Sequence, residues 1–123
     1  MSQIKKLVDI CHRVYEKGFV SAFDGNISVF TPDNTILITR SAVNKGNVTE
    51  DDILEIDAGG NIINGKGKIS TEYKIHLFAY SRRSEVNAVV HCHPVFATAI
   101  ATAGEGLTKN VFPEVVLTLG KVP

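Results

Sequence analysis

The chain has 123 residues, 44% of them hydrophobic and 21% charged, the balance expected of a soluble globular protein of single-domain size. Thirteen Lys and Arg offset thirteen Asp and Glu. Bulk charge therefore gives no basis for binding nucleic acid or an anionic membrane, and any anion recognition must be local. No stretch reaches the ~18 consecutive apolar residues of a membrane span, and residues 1–6 lack the apolar core of a signal peptide. Cys11 and Cys92 lack the spacing of a disulfide scaffold and read as reduced, partly buried thiols of a cytoplasmic protein.

Ile4, Leu7, Val8, Cys11, Val14 and Tyr15 recur at helical spacing, with Gly18 as the stop, so the chain is expected to open with an amphipathic helix. His12 lies just off that apolar stripe and reads as a boundary residue. The turn signal Asp24-Gly25-Asn26 leads into a strand at 27–30, and Thr31-Pro32-Asp33-Asn34 turns it back into a second strand at 36–39. A polar segment follows over 40–52, in which Thr49 and the acids Glu50, Asp51 and Asp52 suit a short helical turn. Residues 53–56 and 61–63 read as another hairpin around Asp57-Ala58-Gly59-Gly60.

After a glycine- and lysine-rich tract, Tyr73, Leu77 and Tyr80 predict a helix that ends near Arg82-Arg83. Ala88-Val89-Val90 then predicts a buried strand. Phe96 to Ala103 is apolar throughout, between Pro94 and Gly104, and reads as a buried helix; residues 115–119 are expected to form a last strand. The order predicts a layered α/β/α protein with a mostly antiparallel central sheet flanked by helices, with no linker dividing residues 1–123 into two domains.

The residues with most chemical content are Val90-His91-Cys92-His93-Pro94. On extended backbone side chains alternate, so His91 and His93 share a face and Cys92 takes the other. Two imidazoles side by side suit two positions on one zinc or similar divalent ion, although paired histidines also occur as packing or hydrogen-bonding groups. The acidic candidate to join them is Glu72, in the first turn of the preceding helix. His76, four residues on and on the same helical face, is a further candidate ligand but is expected to pack against Glu72 or orient it. Gly25-Asn26, Thr39 with Ser41, and Ser70-Thr71 are short clusters of hydroxyl, amide and permissive backbone. Each alone is an ordinary turn or cap, but together they suit a phosphate.

Four motifs occur in a recognisable order: 24–28 (DGNIS), 38–46 (ITRSAVNKG), 70–76 (STEYKIH) and 88–94 (AVVHCHP), followed by a closing segment at 113–123. The chain resembles the class II aldolase/adducin-like family over its whole length, most closely the L-fuculose-phosphate aldolase branch. The resemblance implies a zinc-dependent aldolase that cleaves a ketose 1-phosphate, such as L-fuculose 1-phosphate, to dihydroxyacetone phosphate and an aldehyde. It makes His91 and His93 metal ligands and Glu72 both a metal neighbour and the catalytic proton carrier. It places the substrate phosphate among Gly25, Asn26, Ser41, Ala42, Ser70 and Thr71. A homo-oligomer, a tetramer by family habit, is implied in the same way, with a sugar phosphate as the small-molecule partner.

Three positions depart from the family pattern. Ala42 stands where a glycine is common, Thr71 replaces a serine, and Arg40 replaces a frequent proline and is a candidate for an added phosphate contact. Family members are also longer. The resemblance implies a single class II aldolase-like domain whose C-terminal part, with a third metal histidine, is missing, and which binds zinc weakly and turns over little alone. The alternatives are a pentulose-phosphate 4-epimerase, which carries Asp where this chain has Glu72, a sugar-phosphate dehydratase, or an adducin-like binding module without a metal.

Overall fold

The computed structural model describes residues 2–106, 113–120 and 122. Helix α1 spans Gln3–Glu16; the Ser2 hydroxyl caps it by accepting from the Lys5 amide at 3.2 Å. It ends where Gly18, at φ 69°, turns the chain and the Phe19 amide closes back on the Val14 carbonyl. Its apolar stripe is Leu7, Cys11 and Val14, all buried.

Five strands follow: β1 (Asn26–Phe30), β2 (Ile36–Thr39), β3 (Ile53–Ile56), β4 (Ile62–Asn64) and β5 (Ala88–His91). They form one sheet in the order β4-β3-β2-β1-β5, antiparallel at every pairing. The predicted turn after Thr49 is a short 3-10 helix, Glu50–Asp52, where the Asp52 carboxylate accepts from the Thr49 amide and hydroxyl. Helix α2, Tyr73–Arg82, returns the chain to β5.

The period-2 alternation of the strands separates two cores. Ile27, Leu37 and Ile53 face α1 and pack with Leu7, Cys11 and Val14. Ile36, Ile38, Leu54 and Ile56 face the other way, against Tyr73, Leu77 and Tyr80 of α2. Strands β1 to β3 are thus covered on both faces, whereas β4 is exposed and β5, expected to be buried, is a half-exposed edge strand with Val90 49% exposed. On β1 the residues that share the α2 side are Asn26, Ser28 and Phe30. Two of these three are buried polar residues, and buried polar groups need partners.

Residues 1–93 form one compact unit and 94–123 a second. In the second, α3 (Val95–Thr102) is where a helix was expected, but none of its residues is buried and Phe96 is 85% exposed. An apolar composition all round predicted a covered helix, but it does not specify what does the covering. The strand expected at 115–119 is instead helix α4, Pro113–Thr118. Short apolar runs read equally well as either element; the deciding signals are Pro113 at the first helical position and Glu114 in the first turn. Lys121 and Pro123 of the closing segment lie outside the described residues.

Candidate metal and anion site

The site is built where β1, β5 and the start of α2 meet. Gly25 precedes β1 at φ 69°, and a Cβ there would sit 2.6 Å from the His91 carbonyl oxygen. Only glycine allows both that backbone angle and that approach. The next residue, Asn26, pairs in register with His91, and Ser28 with Val89. At the far end of the HxH motif the His93 amide donates to the Phe19 carbonyl at 2.9 Å, tying the residues after β5 to the loop after α1. Cys92, between the two histidines, packs against the α1-side core, as alternation requires.

Three donors converge. Glu72, His91 and His93 each place one ligand atom so that all three lie within 4.8 Å of one another. Glu72 Oε2 is 3.6 Å from His91 Nδ1, and the two imidazole rings are 4.8 Å apart between centroids. Donors on a four-coordinate zinc stand about 3.3 Å apart, so the three need to close by roughly 1.5 Å at most. His91 Nδ1 is buried and, among the described residues, has no hydrogen-bond partner. A buried ring nitrogen left without a partner costs free energy unless something else occupies it. Two imidazoles and a carboxylate are a donor set that suits zinc or a related divalent ion. The residues fit the group.

Glu72 is held from behind. The Asn26 side-chain amide donates to Glu72 Oε2 at 2.9 Å, with a longer contact to the Ser70 hydroxyl at 3.3 Å. His76, fully buried, has Asn26 between it and Glu72 rather than packing on it directly; its Nε2 meets Asn26 Oδ1 and its Nδ1 meets the Ser28 hydroxyl at 2.6 Å. Tyr80 closes the line, its hydroxyl 2.6 Å from that of Ser28. Burial, and then the neighbouring His91 ring, push the His76 imidazole down to about 4, so it is neutral at neutral pH. Ser28 and Tyr80 were not singled out from the sequence. The available signals were the spacing of Asn26 and Ser28 on one strand face, and of Glu72, His76 and Tyr80 at four-residue steps down α2.

The loop between β2 and the 3-10 helix carries Ser41 and Ala42. The Ser41 amide donates to the Lys68 carbonyl at 2.8 Å, which fastens this loop to the segment leading into Ser70. No hydrogen bond joins Ser41 or Ala42 directly to Asn26 or Ser70 among the described residues, and Thr71 is exposed at the turn before α2. Arg40 pairs through Nε with Asp52 at 2.7 Å, an ion pair that closes the base of the loop. Lys45 was missed altogether. It is 1% exposed and donates to the Val43 carbonyl at 2.9 Å, and burial lowers its ammonium below the usual lysine range. A single lysine in a polar segment carries no sequence sign of burial.

Ala42 stands at φ 57°, the left-handed region. There a Cβ costs about 1–2 kcal/mol, part of which glycine returns as unfolded-state entropy. Ala42→Gly is therefore expected to stabilise the chain by about 0.5–1 kcal/mol, read as a higher urea midpoint at unchanged slope.

Comparison with known proteins places this geometry in a family. The model of the Class II Aldolase and Adducin N-terminal domain matches residues 5–123. The chain belongs to the class II aldolase and adducin family. It is 34% identical over 118 residues to a protein named L-fuculose phosphate aldolase from Methanocaldococcus jannaschii, covering 96% of this chain and 63% of that one. It is 36% identical over 104 residues to a methylthioribulose-1-phosphate dehydratase from Pectobacterium atrosepticum, covering 85% and 51%. Among solved structures, the L-fuculose-1-phosphate aldolase of Thermus thermophilus superposes with a TM-score of 0.78 at 32% identity, covering 95% of this chain and 59% of that one. The chain thus spans less than two thirds of the length of these relatives. No helix among the described residues is long and apolar enough to cross a membrane.

Proposed function

We propose that this chain carries the metal and phosphate half-site of a class II aldolase acting, in the cytoplasm, on a ketose 1-phosphate of the L-fuculose 1-phosphate type. The observation that carries the reading is the convergence of Glu72, His91 and His93 around an unpartnered imidazole nitrogen. Names of relatives support the substrate class: proteins called L-fuculose phosphate aldolase match nearly the whole chain.

In this reading His91, His93 and Glu72 hold a zinc or similar divalent ion, with Gly25, Asn26, Ser41, Ala42, Ser70 and Thr71 around the substrate phosphate. A bound divalent ion supplies Lewis-acid stabilisation of the negative charge that develops on the substrate oxygens as the carbon–carbon bond breaks. Glu72, partly exposed on its open side and hydrogen-bonded to Asn26 behind, is placed to return a proton to the carbon that the departing aldehyde leaves. A phosphate anchored away from that bond holds the substrate in register. Symmetric assembly into a tetramer belongs to the same proposal and rests on the family resemblance alone.

Proton transfer can be tested without net cleavage. The zinc-loaded chain in heavy water is expected to exchange one hydrogen at the hydroxymethyl carbon of dihydroxyacetone phosphate, followed by NMR, and Glu72→Gln is expected to lose that exchange. Zinc uptake with no exchange overturns the aldolase reading. The resemblance calls for a third metal histidine besides His91 and His93, so net cleavage of L-fuculose 1-phosphate by these 123 residues is expected to be slow or absent. The dehydratase reading, favoured by relatives at 34–36% identity, instead requires loss of water from methylthioribulose 1-phosphate with the carbon chain intact.

A further inference from the structure

The polar side chains between β1 and α2 form one continuous line, Tyr80, Ser28, His76, Asn26, Glu72. Its direction follows from what each group is able to donate. A carboxylate only accepts, so the Asn26 atom that faces Glu72 is the amide nitrogen. The Asn26 carbonyl oxygen then faces His76, so Nε2 of that ring carries the proton. A neutral imidazole has one N–H, so Nδ1 is bare and accepts from the Ser28 hydroxyl. Ser28, its proton committed, accepts in turn from Tyr80. Every bond in the line points towards the Glu72 carboxylate.

An asparagine amide turned by 180° would present its carbonyl to Glu72 and repel it. Within this line the reversal is blocked, because an N–H at His76 Nε2 has no use for an NH2 group. We propose that His76 is a positioning residue for the Glu72, His91 and His93 cluster: its Nε2–H locks the Asn26 amide with the NH2 towards Glu72 and so keeps the carboxylate beside the two histidines. The lock itself needs no ligand; its consequence for metal affinity rests on the proposed metal site. Groups one step behind a metal ligand change affinity by about 10–100-fold when removed, and a line of aligned hydrogen bonds reinforces its members.

The test has a metal-free arm and a metal arm, both on the full 123-residue chain. Without metal, nitrogen-15 NMR at pH 7 is expected to show His76 as the Nε2–H tautomer. The Asn26 side-chain amide resonances should move in His76→Leu and stay near their wild-type positions in His76→Gln, whose amide nitrogen can still donate to Asn26. With cobalt(II), followed by its visible absorption, His76→Leu should bind about 10-fold more weakly than wild type and His76→Gln within about 3-fold. If His76→Leu does not fold, Ser28→Ala, which removes the proton donated to Nδ1, carries the comparison and should shift the same Asn26 resonances. An Nδ1–H tautomer, unmoved Asn26 resonances, or unchanged cobalt affinity overturns the proposal. A wild-type chain that takes up no cobalt overturns the metal reading instead, and the Asn26 resonances then decide the lock alone.

Discussion

Replacing His91 by alanine is expected to weaken binding of cobalt(II) or zinc by at least about 100-fold while leaving the fold intact. The affinity of this cluster is shared among three donors, and removing one leaves two, too few to displace most of the water around a divalent ion. A 100-fold loss corresponds to about 2.7 kcal/mol. The cost to folding should be small, because His91 Nδ1 satisfies no partner whose loss would be felt. Cys92→Ser is the informative control. The thiol is adjacent in sequence and a good zinc ligand in principle, yet it packs on the opposite, α1-side core. Cobalt titration should therefore find Cys92→Ser close to wild type and His91→Ala far from it. Equal, negligible uptake by the wild type and His91→Ala would favour an adducin-like binding module over an enzyme.

That contrast between neighbours is the part of the site the sequence states most clearly. One residue of alternation puts two histidines together and the cysteine elsewhere, and no tertiary information is needed to see it. Glu72 is less legible, since a glutamate before a helix is usually only a terminal residue; what brings it to His91 is the return of α2 across the sheet. The role of His76 was visible only in outline. Its helical spacing from Glu72 suggested a direct contact, but Asn26, remote in sequence, stands between them. Ser28 and Tyr80 look like ordinary strand and helix residues until the two elements are packed.

The fold follows the same division. Strands β1 to β5 and helices α1 and α2 were legible because their apolar residues repeat at 2.0 or 3.6 and their ends carry turn or capping residues. The last 30 residues were legible only in part, since α3 stands where a helix was expected but its covering and the element at 113–118 were misread. Alanine, valine and threonine over 95–103 give helix without saying which face is covered, and Val115-Val116-Leu117 has no period long enough to separate strand from helix.

Acid should expose the cost of keeping His76 neutral. In the folded chain its imidazole is pushed down to about 4, by burial and then by the His91 ring, whereas an unfolded histidine titrates near 6.5. Between those values the unfolded chain takes up a proton that the folded chain refuses. Stability from this group is therefore fully present above about pH 6.5 and declines as the pH falls, with the loss essentially complete at about pH 4. The whole effect is about 3 kcal/mol, a large share of the stability of a small domain. Carboxyls held low in the fold, those of Asp24, Asp52, Asp57 and Glu85, act in the same direction, but only below about pH 4.5. The histidine window lies mostly above theirs. Urea unfolding of metal-free protein at pH 7.0 and 4.5 should show the wild type losing about 2–3 kcal/mol more than His76→Gln, which cannot be protonated. Parallel losses in the two proteins would mean that His76 already accepts its proton near pH 6.5 in the fold, and that the line from Tyr80 to Glu72 does not hold it neutral.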